Sequence, residues 1–256
     1  ELNNMASQNK YCNNFGKNGH YEYGTNLINK PKIIPFDKAE RIKNMSFNCL
    51  YMTDDYIIIG SDSRETLSSS FYNDSMQKTF INKEQKLVWS MTGICKYKNI
   101  DYIKLVNEVM NSQAELRDKC ILIQHLLKYP TKDKSFSTSN IKIRFNLFVG
   151  VFENKKPKFY SVEVINGKCS DANGIYDKIN YPFASGVHFE QCNYLNLKIM
   201  DNKIKDDCVL EFTKLISDVI EYDKDKTKTV GGDVYVAYMD RDGNITTYIN
   251  GKEAEF

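Results

Sequence analysis

A carboxylate and a guanidinium follow an apolar run in the first third of the chain. Residues 56–59 read Tyr-Ile-Ile-Ile, and Asp62 and Arg64 come soon after them. Because apolar and polar residues do not alternate in this run, it is typical of a strand buried on both faces. Unpaired charges are costly to bury, so both side chains need partners. Two interpretations fit: a structural ion pair that closes the strand end, or part of an active site.

Two antiparallel strand pairs are predicted around these charges. Residues 47–52 and 56–59 flank the polar segment 53–55, which has the composition of a hairpin turn. Residues 78–82 and 86–91 form a second pair of the same kind. The charged residues therefore lie where the first pair ends and before the second begins.

The rest of the chain alternates between helical and extended patterns. Apolar residues at helical spacing predict four helices, at residues 101–110, 115–127, 188–197 and 206–222. Extended patterns predict further strands, at residues 143–152, 158–164, 234–239 and 245–249, with a less regular one within 169–181. This order of elements predicts an α+β fold, in which two stacked antiparallel sheets carry helices on their outer faces.

Three segments between these elements read as connections. Residues 129–139 have the composition of a loop, and residues 153–157 that of a turn. Asp240-Arg-Asp-Gly243 also begins like a calcium loop, but the later ligands are missing, so it is interpreted as a hairpin turn.

Composition excludes several classes of function. The chain has 35 Lys and Arg against 33 Asp and Glu, and this net charge of +2 predicts neither a nucleic-acid nor a membrane partner. None of its apolar runs approaches the ~18 residues of a membrane span. The seven cysteines are odd in number and lack a Cys-x-x-Cys motif, which favours free thiols in a reducing, cytoplasmic compartment. The three histidines have no ligand spacing, so we predict no metal or other cofactor.

The chain divides into two parts by composition. Residues 1–43 are rich in Asn, Tyr, Gly and Lys without a sustained period, so we interpret them as an N-terminal extension or propeptide. Residues 44–256 contain all the periodic segments and form the predicted domain.

Two segments carry a resemblance to a known family. Gly60-Ser-Asp-Ser-Arg-Glu-Thr66 resembles the Gly-Ala-Asp-(Ser/Thr)-Arg-Ala-Thr signature of proteasome β-type subunits, which are N-terminal-nucleophile (Ntn) hydrolases. Val230-Gly-Gly-Asp-Val-Tyr-Val-Ala-Tyr-Met-Asp-Arg-Asp-Gly243 is similar to the family's Gly-Gly strand and Asp-x-Asp-Gly turn. The resemblance covers about residues 44–250.

The resemblance implies a catalytic trio. In that family the nucleophile precedes the signature aspartate by sixteen residues, and an essential lysine follows the nucleophile by thirty-two. Counted from Asp62, these spacings give Ser46 and Lys78 without a gap. Lys78-Thr-Phe80 is also similar to the family's Lys-(Ile/Leu)-x-Phe segment.

The resemblance implies two supporting residues as well. Met91-Thr-Gly93 is similar, one residue displaced, to the family's small-residue-Gly pair after the fourth strand, which makes the N–H of Gly93 the oxyanion donor. Ala184-Ser-Gly186 resembles the Gly-Ser-Gly segment ahead of the third helix, which makes Ser185 a hydroxyl near the amine.

The chemistry of the trio is consistent with its residue types. A serine hydroxyl is a weak nucleophile until a base takes its proton. Cleavage of the Met45–Ser46 bond would give Ser46 a free α-amine, whose ordinary pKa of about 7.7–8.0 suits a general base near neutral pH. Lys78 would favour ionisation of the hydroxyl, and Asp62 would keep Lys78 charged and oriented.

The resemblance therefore implies a four-layer αββα sandwich with amide or peptide-bond hydrolase activity. Residues 1–45 would be removed by attack of Ser46 on the Met45 carbonyl. The implied substrate is a peptide or a small amide, and the implied partner is a second copy of the chain in a homo-oligomer.

Departures from the family pattern support an alternative. The residue before the nucleophile is usually Gly, but here it is Met45. Thr227 stands where an acidic residue is expected, and Val230 where Ser is usual. An uncleaved, non-catalytic homologue with a structural or assembly role fits these residues. In a third interpretation, Met45 is the start of the chain in the cell and its removal exposes Ser46.

Overall fold

The computed structural model describes residues 41–43, 46–66, 72–93, 95–97, 99–132, 141–186 and 204–256. The predicted helix at residues 188–197 and nearly all of the predicted extension lie outside these residues. The helices are α1 (Tyr102–Met110), α2 (Leu116–Lys132) and α3 (Lys205–Asp223).

The strands of the described residues are numbered in chain order. They are β1 (Arg41–Lys43), β2 (Phe47–Met52), β3 (Tyr56–Asp62), β4 (Glu65–Thr66), β5 (Tyr72–Asn73), β6 (Thr79–Asn82), β7 (Leu87–Thr92), β8 (Lys96–Tyr97), β9 (Ile100–Asp101), β10 (Ile141–Glu153), β11 (Lys156–Ile165), β12 (Lys168–Cys169), β13 (Gly174–Tyr176), β14 (Phe183–Gly186), β15 (Val234–Asp240), β16 (Ile245–Ile249) and β17 (Lys252–Glu253).

Most strands belong to two sheets. The first sheet has the order β12-β11-β10-β7-β6, with β1 beside β10 and β13 beside β11. The second has the order β14-β2-β3-β15-β16-β17. Neighbouring strands are antiparallel except β1 and β10, which run parallel. The α+β class predicted from the element order is confirmed.

Three apolar clusters hold these elements together. The first joins α1 and α2 to the first sheet and contains Trp89 and Val106. The second joins α3 to the second sheet and contains Phe212. The third lies between the sheets and contains Ile59 from one and Phe148 from the other. The alternation of side chains across each strand lets one sheet pack on both faces at once.

Both predicted strand pairs at the start of the domain are confirmed as antiparallel ladders. β3 continues beyond the predicted residue 59 to Asp62, and all seven of its residues are buried. The last hairpin, β15 with β16, also forms as predicted. Unbroken apolar runs and turn residues with a defined geometry specify these elements locally.

Three predicted features differ from the structure. α2 runs to Lys132, through Pro130, because the buried positions of the helix continue past the predicted loop start at residue 129. The predicted turn at residues 153–157 is shorter, because Asn154 and Lys155 take positive φ angles of 53° and 62° and close a two-residue hairpin. The irregular strand within 169–181 is two short strands, β12 and β13, both paired with β11.

The segment that precedes the predicted helix at residues 188–197 is extended. Ala184, Ser185 and Gly186 lie in β14, which pairs with β2 at the edge of the second sheet. This extended conformation depends on backbone hydrogen bonds to β2, and a short sequence pattern does not predict such pairing.

Among the described helices, none is long and apolar enough to cross a membrane. Five cysteines lie within the described part of the chain, and no disulfide joins any two of them.

Close packing of α3 on β3 depends on Gly60. A Cβ at this position would lie 2.8 Å from the carbonyl oxygen of Tyr235 and 2.9 Å from Ile216. We expect Gly60→Ala to lower the free energy of unfolding by about 1–3 kcal/mol, as overpacking does. Urea denaturation followed by circular dichroism measures the change.

Gly174→Ala is the matched control, because Gly174 also lies in a strand but its added Cβ would meet only the Tyr176 side chain at 3.7 Å or more. Equal denaturation midpoints for the two variants would contradict the proposed close packing.

Candidate functional site

The three residues of the predicted trio lie at the ends of three strands. Ser46 immediately precedes β2, Asp62 ends β3, and Lys78 immediately precedes β6. β2 and β3 are neighbours in the second sheet, and β6 is at the edge of the first. The side chains therefore meet where the two sheets face each other. All three residues are at most 1% exposed.

The Lys78 ammonium connects the other two side chains. Its Nζ donates to Ser46 Oγ at 2.7 Å, to Asp62 Oδ1 at 3.1 Å and to the carbonyl oxygen of Arg64. An ammonium has three N–H groups, and here each has an acceptor. Lys78 is therefore a fully hydrogen-bonded cation held against a serine hydroxyl.

The Asp62 carboxylate accepts four hydrogen bonds. Oδ1 accepts from Lys78 Nζ and, at 2.9 Å, from the N–H of Phe47. Oδ2 accepts from the N–H groups of Arg64 and Gly231, both at 3.1 Å. Burial raises the pKa of the Asp62 carboxyl, while Lys78 and the N–H donors of Phe47 and Gly231 lower it. Since every partner is a donor, the geometry fits the ionised form.

Arg64 pairs with a different carboxylate. Its Nε and Nη2 donate to Asp74 at 2.6 and 2.7 Å, and the fork holds the pKa of Asp74 below its usual value. Its contact with Asp62 is through the backbone N–H. Of the two interpretations of the strand end, a simple Asp62–Arg64 ion pair is therefore excluded. Arg64 anchors the loop, and Asp62 pairs with Lys78.

Gly93 and Ser185 lie beside the trio without joining its hydrogen bonds. Gly93 follows β7, which is tied to the trio because the N–H of Met91 donates to the Lys78 carbonyl at 3.0 Å. Gly93 has φ +107°, and a Cβ there would collide with the Arg144 carbonyl oxygen, so only glycine fits. Ser185 Oγ is buried and has no hydrogen-bond partner among the described residues.

A second buried carboxylate, Asp223, was not predicted. Oδ1 accepts from the N–H and the hydroxyl of Thr227 at 3.3 and 2.6 Å. Oδ2 accepts from the N–H groups of Thr229 and Val230 at 2.6 and 2.9 Å. Asp223 is fully buried and fixes the loop that leads to Gly231, a donor to Asp62.

The helical spacing of apolar residues in α3 marks Asp223 in the sequence, whereas counting back from Gly231-Gly232 leads to Thr227 instead. Phe212, Ile216, Val219 and Asp223 lie at intervals of four, three and four residues, and all are buried on α3. A charged residue on the apolar face of a helix needs a dedicated partner, and here the partner is the loop backbone.

No protein-family model matches the sequence, and no curated protein matches it. Among solved structures, the chain is similar to a Gly-1 mutant of Anbu from Hyphomicrobium sp. strain MC1. The TM-score is 0.58 at 10% sequence identity, and the match covers 80% of this chain and 86% of that chain. At this identity the likeness shows a shared fold.

Removal of the Asp223 carboxylate should destabilise the loop that leads to Gly231, a donor to Asp62. Asp223→Ala leaves buried N–H groups without acceptors, and each costs about 1–3 kcal/mol. We expect a drop of several kcal/mol in the free energy of unfolding, and faster amide exchange at Gly231. Denaturant titration and hydrogen exchange measure the two effects.

Asp218→Ala is the control on the same helix, since Asp218 is exposed and its carboxylate lies 3.0 Å from Lys214 Nζ at the surface. Its stability should change by less than about 0.5 kcal/mol. Unchanged exchange at Gly231 in Asp223→Ala would refute the link between the loop and Asp62.

Proposed function

We propose that this protein is an amide or peptide-bond hydrolase of the N-terminal-nucleophile type, with Ser46 as its nucleophile. The observation that carries the proposal is the 2.7 Å hydrogen bond from Lys78 Nζ to Ser46 Oγ. A buried cation against a hydroxyl stabilises negative charge on that oxygen, which is what a serine nucleophile requires.

The arrangement of the apolar clusters supports the fold part of the proposal. One cluster lies between the sheets, and each sheet packs helices on its other face. This pattern fits a four-layer αββα sandwich, the arrangement implied by the resemblance to proteasome β-type subunits. The likeness in fold to Anbu supports the same assignment.

Activation would proceed by self-cleavage. Ser46 Oγ attacks the Met45 carbonyl carbon, the C–N bond to Ser46 breaks, and the nitrogen takes the hydroxyl proton. The resulting ester between Met45 and Ser46 Oγ is hydrolysed by water. The products are residues 1–45 with a free carboxylate and a chain that begins with a free Ser46 amine.

Hydrolysis of a substrate would use the released amine as general base. The amine takes the Ser46 hydroxyl proton as Oγ attacks the amide carbonyl, and it then protonates the leaving nitrogen. Water, which gives a proton to the same amine, then hydrolyses the acyl ester on Oγ, so the carboxylic acid product leaves and the Ser46 hydroxyl is restored. Lys78 stabilises the developing charge on Oγ, and Asp62 holds Lys78 in place. Gly93 would donate its N–H to the oxyanion, and Ser185 would support the amine.

The alternative is an uncleaved homologue with a structural or assembly role. It is favoured by the surroundings of Asp223, because Thr227 and Val230 contribute to loop structure there. Val230 is 1% exposed within the apolar cluster under α3. A hydroxyl is therefore missing at a position where the family usually has one near the amine.

The mass of the purified protein separates the two functions. Under the hydrolase proposal, the main species begins Ser-Phe-Asn-Cys, and Ser46→Ala leaves residues 1–45 attached. Intact mass and N-terminal sequencing after incubation at neutral pH measure this. Ser61→Ala is the control, because Ser61 is an equally buried serine bonded to Thr79 Oγ1 at 2.8 Å, and it should still cleave. An uncleaved wild-type chain after long incubation would refute self-activation.

Replacement of Lys78 tests the chemistry directly. We expect Lys78→Met to abolish self-cleavage and hydrolysis of a panel of peptidyl-aminocoumarins. Loss of one partner from a buried ion pair also costs about 3–5 kcal/mol, so folding is checked by circular dichroism.

Lys119→Met is the matched control for Lys78→Met. Lys119 is a second lysine with 1% exposure, and its Nζ donates to Gln85 Oε1 and the Met110 carbonyl, away from the trio. Its variant should keep its activity if it folds. Full hydrolysis by a folded Lys78→Met protein would refute the catalytic role of Lys78.

A further inference from the structure

The layer between the sheets changes from apolar to polar toward Ser46. Along β2, Leu50 and Met52 belong to the inter-sheet cluster, and Asn48 lies on the same face because side chains alternate along a strand. Asn48 Nδ2 donates across the layer to the carbonyl oxygen of Ser90 at 3.2 Å. Polar groups have therefore replaced core residues at the end of the sandwich that carries the trio.

A cavity of about 200 Å³ opens at this polar end. It lies between β10 and β11 of the first sheet and β14 of the second. Ser185 is part of its wall, and the next residue, Gly186, packs against the Ser46 backbone so closely that a Cβ there would collide with the Ser46 carbonyl. The cavity therefore adjoins the proposed nucleophile.

Among the described residues, two uncharged polar atoms of the cavity wall are buried without a hydrogen-bond partner. They are Asn146 Oδ1 and Ser185 Oγ, in residues that are 2% and 5% exposed. Buried polar groups are usually paired, so unpaired ones beside a cavity indicate a missing hydrogen-bonding partner. An apolar ligand would leave both atoms unpaired.

The charges of the cavity wall cancel. Arg144 and Glu163 both line the cavity, and Arg144 Nε lies 3.1 Å from Glu163 Oε1, although Nε makes no hydrogen bond within the described residues. Since each charge has its counter-ion at this distance, a charged ligand would have to compete with the other member of the pair. The complementary ligand is polar and uncharged.

Another part of the cavity wall is aromatic. It consists of Phe148, Phe159, Tyr176 and Phe183, and the ring centroids of Phe159 and Phe183 lie 4.6 Å apart. A flat or aliphatic group fits against these rings. The volume is below the 300–1,000 Å³ of pockets that hold drug-sized ligands, so it suits one side chain.

We propose that this cavity is a substrate subsite for a primary carboxamide, such as the side chain of glutamine in a peptide. A carboxamide has both donors and an acceptor, so it pairs with Asn146 in either orientation of that amide. It can also bond the Ser185 hydroxyl while its aliphatic stem lies on the aromatic wall. The inference rests on the proposed hydrolase function for its role as a substrate subsite.

Binding without turnover tests the subsite. The probe is N-acetyl-glutamine N-methylamide, titrated into the full-length Ser46→Ala protein and followed by NMR at the backbone amide of Ser185, which every compared variant retains. Matched probes contain glutamate or leucine in place of glutamine. We expect the glutamine probe to bind at least about tenfold more tightly than either, as the loss of one or more hydrogen bonds implies.

Variants in the same Ser46→Ala background assign the effect to the cavity. Asn146→Leu should reduce glutamine-probe affinity about tenfold, and Asn146→Asp, which keeps the size but accepts only, should also reduce it. Thr213→Val is the control, because Thr213 Oγ1 is another buried unpaired hydroxyl and lies on α3, away from the cavity. Equal binding of the three probes, or unchanged affinity in both folded Asn146 variants, would overturn the proposal.

The two proposals fail separately. Glutamine-selective binding with no hydrolysis by the wild-type chain would support the subsite and refute the hydrolase proposal. Hydrolysis of the peptidyl-aminocoumarin panel with equal binding of the three probes would support the hydrolase proposal and refute the subsite.

Discussion

The buried pair of Asp62 and Lys78 constrains the rest of the structure. Neither residue exposes surface to solvent, and they contact each other at 3.1 Å. The attraction within such a pair offsets its desolvation only when the remaining hydrogen-bonding groups are also satisfied. The structure meets this condition with backbone groups from Phe47, Arg64 and Gly231 and with the Ser46 hydroxyl.

These partners come from distant parts of the chain. Phe47 and Arg64 flank the first hairpin, whereas Gly231 arrives more than 160 residues after Asp62. The N–H of Ser63 donates to the Gly231 carbonyl in return, at 3.1 Å. Asp223 orders the loop before Gly231, so one buried carboxylate supports the environment of the other.

The space between the sheets has an apolar region and a polar region. Around Ile59 and Phe148 it is apolar and holds the sheets together. Toward Ser46 it contains paired hydroxyls and amides, such as Ser61 and Thr79 at 2.8 Å. Polar groups placed there stabilise the fold less than apolar ones would. Their position beside the trio and a cavity is consistent with selection for chemistry at this end.

Local pattern determined much of the fold. Apolar runs specified the hairpins, and helical spacing specified α1 and α3. The trio of Ser46, Asp62 and Lys78 was implied by the resemblance to proteasome β-type subunits, and the structure brings the three side chains together because each lies at the end of a strand.

The tertiary structure decided which groups pair with the buried carboxylates and with Arg64. Whether Asp62 would pair with Arg64 or Lys78 depended on which strand of the other sheet lies opposite, and Asp74 took the guanidinium. The role of Asp223 depended on how the loop after α3 folds back. Hydrogen bonds between residues far apart in the chain leave no periodic trace in the sequence, because they arise only when sheets and helices pack.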